Sequence, residues 1–274
     1  MSKLPTIFIP HGGGPCFFMD WDPPDTWERM ANHLRGVPGD IGSPAPKALF
    51  VISGHWEEPV VTIQNNPAPP LLYDYYGFPP STYEIKFPAP GAPDVSMRIA
   101  ELLGAAGIAW KYDHERGFDH GVFIPLKVAF PEANVPIVQV SLLASMDAAE
   151  HIRVGRALAP LRDEGVLIVG SGMTYHNMRT LMTSMRRGGA NGHADEGSQR
   201  FDDWLEEVLT KATPKVRATA LVAWDQAPAA RAAHPREEHL LPLHVVVGAA
   251  GDDPGRRTLK DVVMGAVESA FRFG

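Results

Sequence analysis

The chain of 274 residues carries 25 Lys and Arg against 32 Asp and Glu, a formal net charge of −7. Neither that balance nor any basic run supplies the clustered cations that nucleic acids and anionic membranes demand, so both partner classes are excluded. With 45% apolar and 21% charged residues it lies well inside the packed globular class and outside the disordered one.

In chain order, the β-branched run Thr6–Pro10 reads as a buried strand that stops at a glycine cluster. A Pro/Gly-rich loop over 36–46 precedes a second strand over 48–53, and further loops follow at 65–70 and 88–93. Val95, Ile99, Leu102, Leu103 and Ala106 lie on one helical stripe, with Gly107 as its stop. After a strand over 136–142, Asp147 and Glu150 form a capping box for a helix running to about Gly165. Residues 166–170 read as a strand and 186–192 as a mobile loop. Phe201, Trp204, Leu205, Val208 and Leu209 give a helix with Ser198 as its N-cap. Two more strands are expected over 218–223 and 244–247, while 258–273 fits either helix or strand. Strands alternating with helices predict an α/β fold. The expectation is one catalytic domain over 1–274, its central sheet mostly parallel or mixed and flanked by helices.

Cys16 is the single cysteine, which excludes an intrachain disulfide and reads as a small buried apolar group. The apolar stretch from Thr6 to Ile9 is broken at His11 before a secretory core forms, and no apolar run approaches the ~20 residues of a membrane span. The chain therefore reads as soluble and cytoplasmic.

Eleven histidines are the unusual feature. His11, His55 and His176 each follow a predicted strand's carboxyl end, where the ligand crevice of an open α/β sheet lies. Imidazoles converging there would hold a divalent transition metal. His120 and His234 are intermediate: His120 adjoins Asp119, which would either orient the ring for acid/base work or cap the next helix, and His234 precedes Pro235 in a loop. His33, His114, His151, His193, His239 and His244 read as surface or core residues. His11-Gly12-Gly13-Gly14 after a strand also suggests an esterase oxyanion hole, but no serine has glycines two before and two after it, and Gly170-Ser171-Gly172 is wrongly spaced for a nucleophile elbow. Nor does Gly170 to Tyr175 complete a dinucleotide fingerprint. The aromatic stretch from Tyr73 to Phe78, with Trp21 and Trp56, would serve equally as packing or as the wall of a pocket for a flat substrate.

Seven short motifs occur in order: Ile9-Pro10-His11-Gly12-Gly13-Gly14-Pro15, Ser53-Gly54-His55-Trp56-Glu57, Tyr75-Tyr76-Gly77-Phe78-Pro79, Phe87-Pro88-Ala89-Pro90-Gly91-Ala92-Pro93, Asp119-His120-Gly121, Gly170-Ser171-Gly172-Met173-Thr174-Tyr175-His176-Asn177 and His234-Pro235-Arg236-Glu237-Glu238-His239. Together they resemble the DOPA 4,5-dioxygenase-like branch of the class III extradiol dioxygenases. The resemblance implies a non-haem enzyme that opens a small catecholic substrate with O₂, using Fe(II) for activity, with Zn(II) possible as the bound metal. It implies metal ligands at His11, His55 and His234, with His176 a further ligand or the imidazole beside the substrate, and His120 as an acid/base histidine. Better-known members of the wider superfamily use two histidines and a carboxylate, and no carboxylate here obviously takes that place; Glu57, Glu237 and Glu238 are only neighbours of histidines. A zinc-dependent hydrolase and a non-catalytic superfamily member are the alternative readings on the same scaffold.

Overall fold

The structure is a computed structural model and describes residues 3–186 and 194–274. Of the loop expected over 186–192, Arg186 instead ends a helix, and the remainder, with His193, lies outside the described residues. The strands are β1 (Thr6–Pro10), β2 (Ala48–Glu58), β3 (Val61–Gln64), β4 (Trp110–Asp113), β5 (Ile137–Leu143), β6 (Val166–Gly172), β7 (Gly255–Val263) and β8 (Ala266–Phe273). They form one sheet in the order β4-β3-β5-β2-β6-β1-β8-β7. The centre, β5-β2-β6-β1, is parallel throughout, and β3 also runs parallel to β4. The joins β3 to β5, β1 to β8 and β7 to β8 are antiparallel, which makes the sheet mixed, as expected.

The helices are α1 (Glu28–Ile41), α2 (Pro93–Ala105), α3 (His120–Ala129), α4 (Ala148–Leu158), α5 (Met178–Arg186), α6 (Glu196–Glu206), α7 (Pro214–Val222), α8 (Ala230–Ala233) and α9 (Leu241–Ala250). Alternate side chains of a strand point to opposite faces, and the central strands bury both sets. Ile7, Ile9, Leu49, Val51, Leu167 and Val169 pack with Leu34 and Val37 of α1 and with Val122 and Phe123 of α3. Phe8, Phe50, Ile52, Val166 and Ile168 pack on the other face with α2, α4 and α9 through Ile99, Ile152 and Val246. Among the described residues no helix is long and apolar enough to cross a membrane.

Several sequence expectations are corrected. Residues 218–223 and 244–247 belong to α7 and α9 rather than to strands. Every residue of α9 is buried, so its sequence is apolar on all sides and carries no periodicity that separates helix from strand. In α7 the local signals decide: Thr213 accepts the Val216 N–H as N-cap and Pro214 occupies the first turn. Helix α6 is capped by Asp195, which accepts the Ser198 N–H at 3.0 Å, while Ser198 Oγ instead accepts from Val267 N. The ambiguous 258–273 segment lies in the β7–β8 hairpin, turned at Met264 and Gly265, both with positive φ. The Asp147 cap and the Gly107 stop appear as read.

Candidate metal centre

The parallel strands deliver the site from their carboxyl ends. His11 follows β1 directly, and its N–H donates to the Gly172 carbonyl at the end of β6 (3.1 Å). His55 lies within β2 rather than beyond it: pairing with β6 stops at Ser53, and the register against β5 shifts between Ile52 and Glu57. That irregularity turns the His55 ring out of the ladder. His120 opens α3, and His176 follows the turn after β6 with its N–H bound to the Ala233 carbonyl (2.9 Å). His239, read from the sequence as a surface or core residue, precedes α9 and joins the same group.

Three imidazoles face one another. His55 Nε2 lies 3.1 Å from His11 Nε2 and 3.2 Å from His239 Nε2. Two nitrogens on a tetrahedral cation at ~2.0–2.1 Å would stand about 3.3–3.4 Å apart, close to the spacing found. The outer nitrogens fix the tautomers. Ser171 Oγ donates its only proton to the Gly121 carbonyl, so at 3.1 Å it accepts from His11 Nδ1. His239 Nδ1 donates to Glu238 Oε1 at 3.0 Å. The Nε2 lone pairs of His11 and His239 are therefore turned toward His55 Nε2, an arrangement that a shared cation satisfies. Burial, reinforced by neighbouring imidazoles, pushes the pKa of His11 and His239 far down, and that of His55 to about 3, so all three stay neutral donors. The donors are all nitrogen, a set that suits iron or zinc.

His120 and His176 flank this trio. The His120 ring centroid is 4.0 Å from that of His55, and the His176 ring stacks on His239 at 3.4 Å. The carboxylate that orients His120 is Asp74, not the adjacent Asp119. Asp74 Oδ1 accepts from His120 Nδ1 at 2.8 Å and from its backbone N–H at 2.9 Å. Burial alone would raise Asp74, but the His120 hydrogen bonds outweigh it and hold the carboxyl below its ordinary range. Asp119 makes no helix cap; it accepts from Ser53 Oγ (2.9 Å), Arg116 (3.2 Å) and Gln139, tying β2, β5 and α3 together beneath His55.

His234, expected as a ligand, is not gathered into this group. Its ring is fully buried against Phe201 and Trp224, and Nε2 donates to the Thr174 carbonyl at 3.0 Å. The motif from His234 to His239 carries an imidazole at each end, and an irregular segment has no period to say which one faces the crevice. Asp74 was hidden in the same way inside the aromatic stretch. Much of that stretch is packing: Tyr73 and Tyr75 donate to the Ile85 and Thr82 carbonyls, whereas Tyr76 is 90% exposed. Cys16 is buried and burial pushes its thiol pKa up, which keeps it out of nucleophilic chemistry. The glycines after His11 serve the backbone: Gly12 has φ +80°, and a Cβ there would run into Cys16 Sγ.

A family model described as the catalytic LigB subunit of aromatic ring-opening dioxygenase matches residues 5–272. The chain belongs to this family. Among its relatives, a protein of Hapsidospora irregularis named dioxygenase tasH is 36% identical over all of this chain and 86% of its own length. A Beta vulgaris protein named 4,5-DOPA dioxygenase extradiol is 37% identical over 90% of this chain and 87% of its own. A crystal structure of an uncharacterized Escherichia coli K12 protein superposes with a TM-score of 0.78 at 29% identity, covering 99% of this chain and all of that one. LigB-family membership makes the chain a ring-opening dioxygenase at family level, and among the described residues two adjoining donor groups could hold a metal, His11 with His55 and His120, and His176 with Glu238 and His239. The LigB-family site is also closely built: at Gly121 a Cβ would come within 2.8 Å of His55 Cδ2 and 2.5 Å of Ser53 Oγ.

Proposed function

We propose that this chain is an extradiol dioxygenase that opens a small catecholic ring with O₂, holding Fe(II) on His11, His55 and His239, with Zn(II) as the other metal this donor set accepts. The observation that carries the reading is the convergence of three neutral imidazole nitrogens beside two further histidines, one against the Asp74 carboxylate and the other against Glu238. The names of the relatives support a catechol as the substrate class.

When bound, such a cation supplies Lewis acidity that lowers the catechol pKa and offers open positions to both reactants. His120 donates its Nδ1–H to Asp74, so its Nε2 is free to accept the catechol proton. His176 donates Nδ1–H to Glu238 at 3.0 Å and presents a second Nε2 beside His239. We assign it to holding or returning a proton rather than to the metal. The burial of His11 and His239 keeps bulk water from the floor of the site.

The test is anaerobic reconstitution with Fe(II), addition of a panel of catechols, then O₂. A yellow ring-opened product with matching oxygen uptake is expected. Intact catechols on a metal-loaded protein would overturn the substrate class, and turnover without O₂ would point to hydrolysis instead.

A further inference from the structure

Two of the site's imidazoles share one carboxylate oxygen. Glu238 Oε1 lies 3.0 Å from His239 Nδ1 and 3.0 Å from His176 Nδ1. The two rings are nearly parallel, 17° apart, with centroids 3.4 Å from each other. A carboxylate only accepts, so both Nδ1 atoms carry a proton, which in the neutral tautomer turns Nε2 into the acceptor nitrogen of each ring. Parallel rings with their Nδ1 atoms on one acceptor direct their Nε2 atoms to the same side. The other oxygen, Oε2, is buried without a hydrogen bond and has only Arg236 Nη1 at 3.6 Å. Arg236 is itself clamped by Glu57 through two bonds of 2.5 Å.

The backbone fixes this arrangement as well. The His239 carbonyl accepts from Met173 N at 3.0 Å, and a Cβ on Gly172 would run into that carbonyl. On the other side a Cβ on Gly54 would stand 3.2 Å from the Glu238 carbonyl and from His239 Cα. The Glu238-His239 dipeptide thus threads between the ends of β2 and β6 at a depth that two glycines permit.

We propose that Glu238 is a positioning residue that locks His239 and His176 in one tautomer, making the first a stronger metal donor and the second a proton acceptor. This rests on the assignment of His239 to the metal. A carboxylate behind a ligand histidine fixes ring orientation and raises donor basicity, and loss of such a partner costs about 10- to 100-fold in metal affinity. Here a single carboxylate serves two rings, so one substitution disturbs both.

The experiment compares full-length wild type with Glu238→Ala, Glu238→Gln and, as control, Glu237→Gln, whose side chain pairs instead with Arg231. Co(II) and Zn(II) affinities are measured by chelator competition, and imidazole tautomers by ¹⁵N-histidine NMR of the metal-free protein. Expected are a roughly 10- to 100-fold affinity loss in Glu238→Ala, a smaller one in Glu238→Gln, and none in Glu237→Gln. The spectra should show two Nδ1–H rings turning into tautomer mixtures in Glu238→Ala. Affinity within twofold of wild type in both Glu238 variants, with unchanged tautomers, overturns the proposal; if Glu238→Ala does not fold, Glu238→Gln decides. A wild type that binds cobalt yet opens no catechol would sink the dioxygenase reading and leave this one standing, because neither readout involves turnover.

Discussion

Asp74 Oδ1 holds His120 twice, accepting from the ring Nδ1 at 2.8 Å and from the backbone N–H at 2.9 Å. The loop carboxylate therefore fixes both the start of α3 and the direction of the ring that begins it. Asp74→Asn retains an acceptor but adds a donor that competes for the same contacts. It should leave metal content unchanged and slow catechol turnover at least tenfold, part of the ~10²–10⁴ that a positioned acid/base contributes. Steady-state kinetics beside elemental analysis checks this; loss of metal would move Asp74 into the metal-binding shell.

Alanine substitutions separate the two ends of the motif from His234 to His239. His11→Ala, His55→Ala and His239→Ala should each lose bound metal, whereas His120→Ala keeps it and turns over slowly. His234→Ala should retain metal and instead lower stability by roughly 1–3 kcal/mol, the cost of a buried cavity and an unpaired Thr174 carbonyl. Elemental analysis and thermal melts of the set decide between His234 and His239 as ligand.

Gly121 sits where α3 meets β2. Gly121→Ala would place a methyl group against Ser53 Oγ and the His55 ring, so overpacking should destabilise by about 1–3 kcal/mol and displace His55. Denaturant melts should show the loss, and metal affinity should fall with it; unchanged values in both would mean the junction yields more easily than its contacts suggest.

Glu268, buried on β8, gives a pH signature of its own. Burial pushes its carboxyl up to about 8, against hydrogen bonds to Oε2 from Thr174 and Tyr175, while Oε1 is buried and unpartnered. Below the ordinary value of 4.5 the group is protonated in both folded and unfolded chains and contributes no pH dependence. Between 4.5 and about 8 the unfolded chain releases a proton that the folded one keeps, so stability falls as pH rises, by about 1.4 kcal/mol per unit. Above that window the contribution is flat. Melting temperatures across this range should decline in wild type and decline less in Glu268→Gln.

The central sheet was legible because β1, β2, β5 and β6 are buried on both faces and so appear as short runs rich in β-branched and other apolar residues. The same logic failed for α9, whose burial on every side leaves a strand-like sequence, and it missed β3 and β4, which are only four residues long. His11, His55 and His176 could be singled out because they adjoin those strands. His239, Glu238 and Asp74 could not: irregular segments carry them, and only the folded backbone brings them against the strand ends. The carboxylate sought beside the histidines turns out to bind their outer nitrogens.

The neighbours of β1 in the sheet are β6 and β8, both from the second half of the chain. During synthesis the first strand emerges long before either flank exists, and His239 follows later than most of the sheet. His11 therefore waits on the ribosome without its partners. On the proposed ligand set, loading of the cation would be a post-translational event, closing a chain that has already found its topology, and a truncated product should be born unable to retain metal.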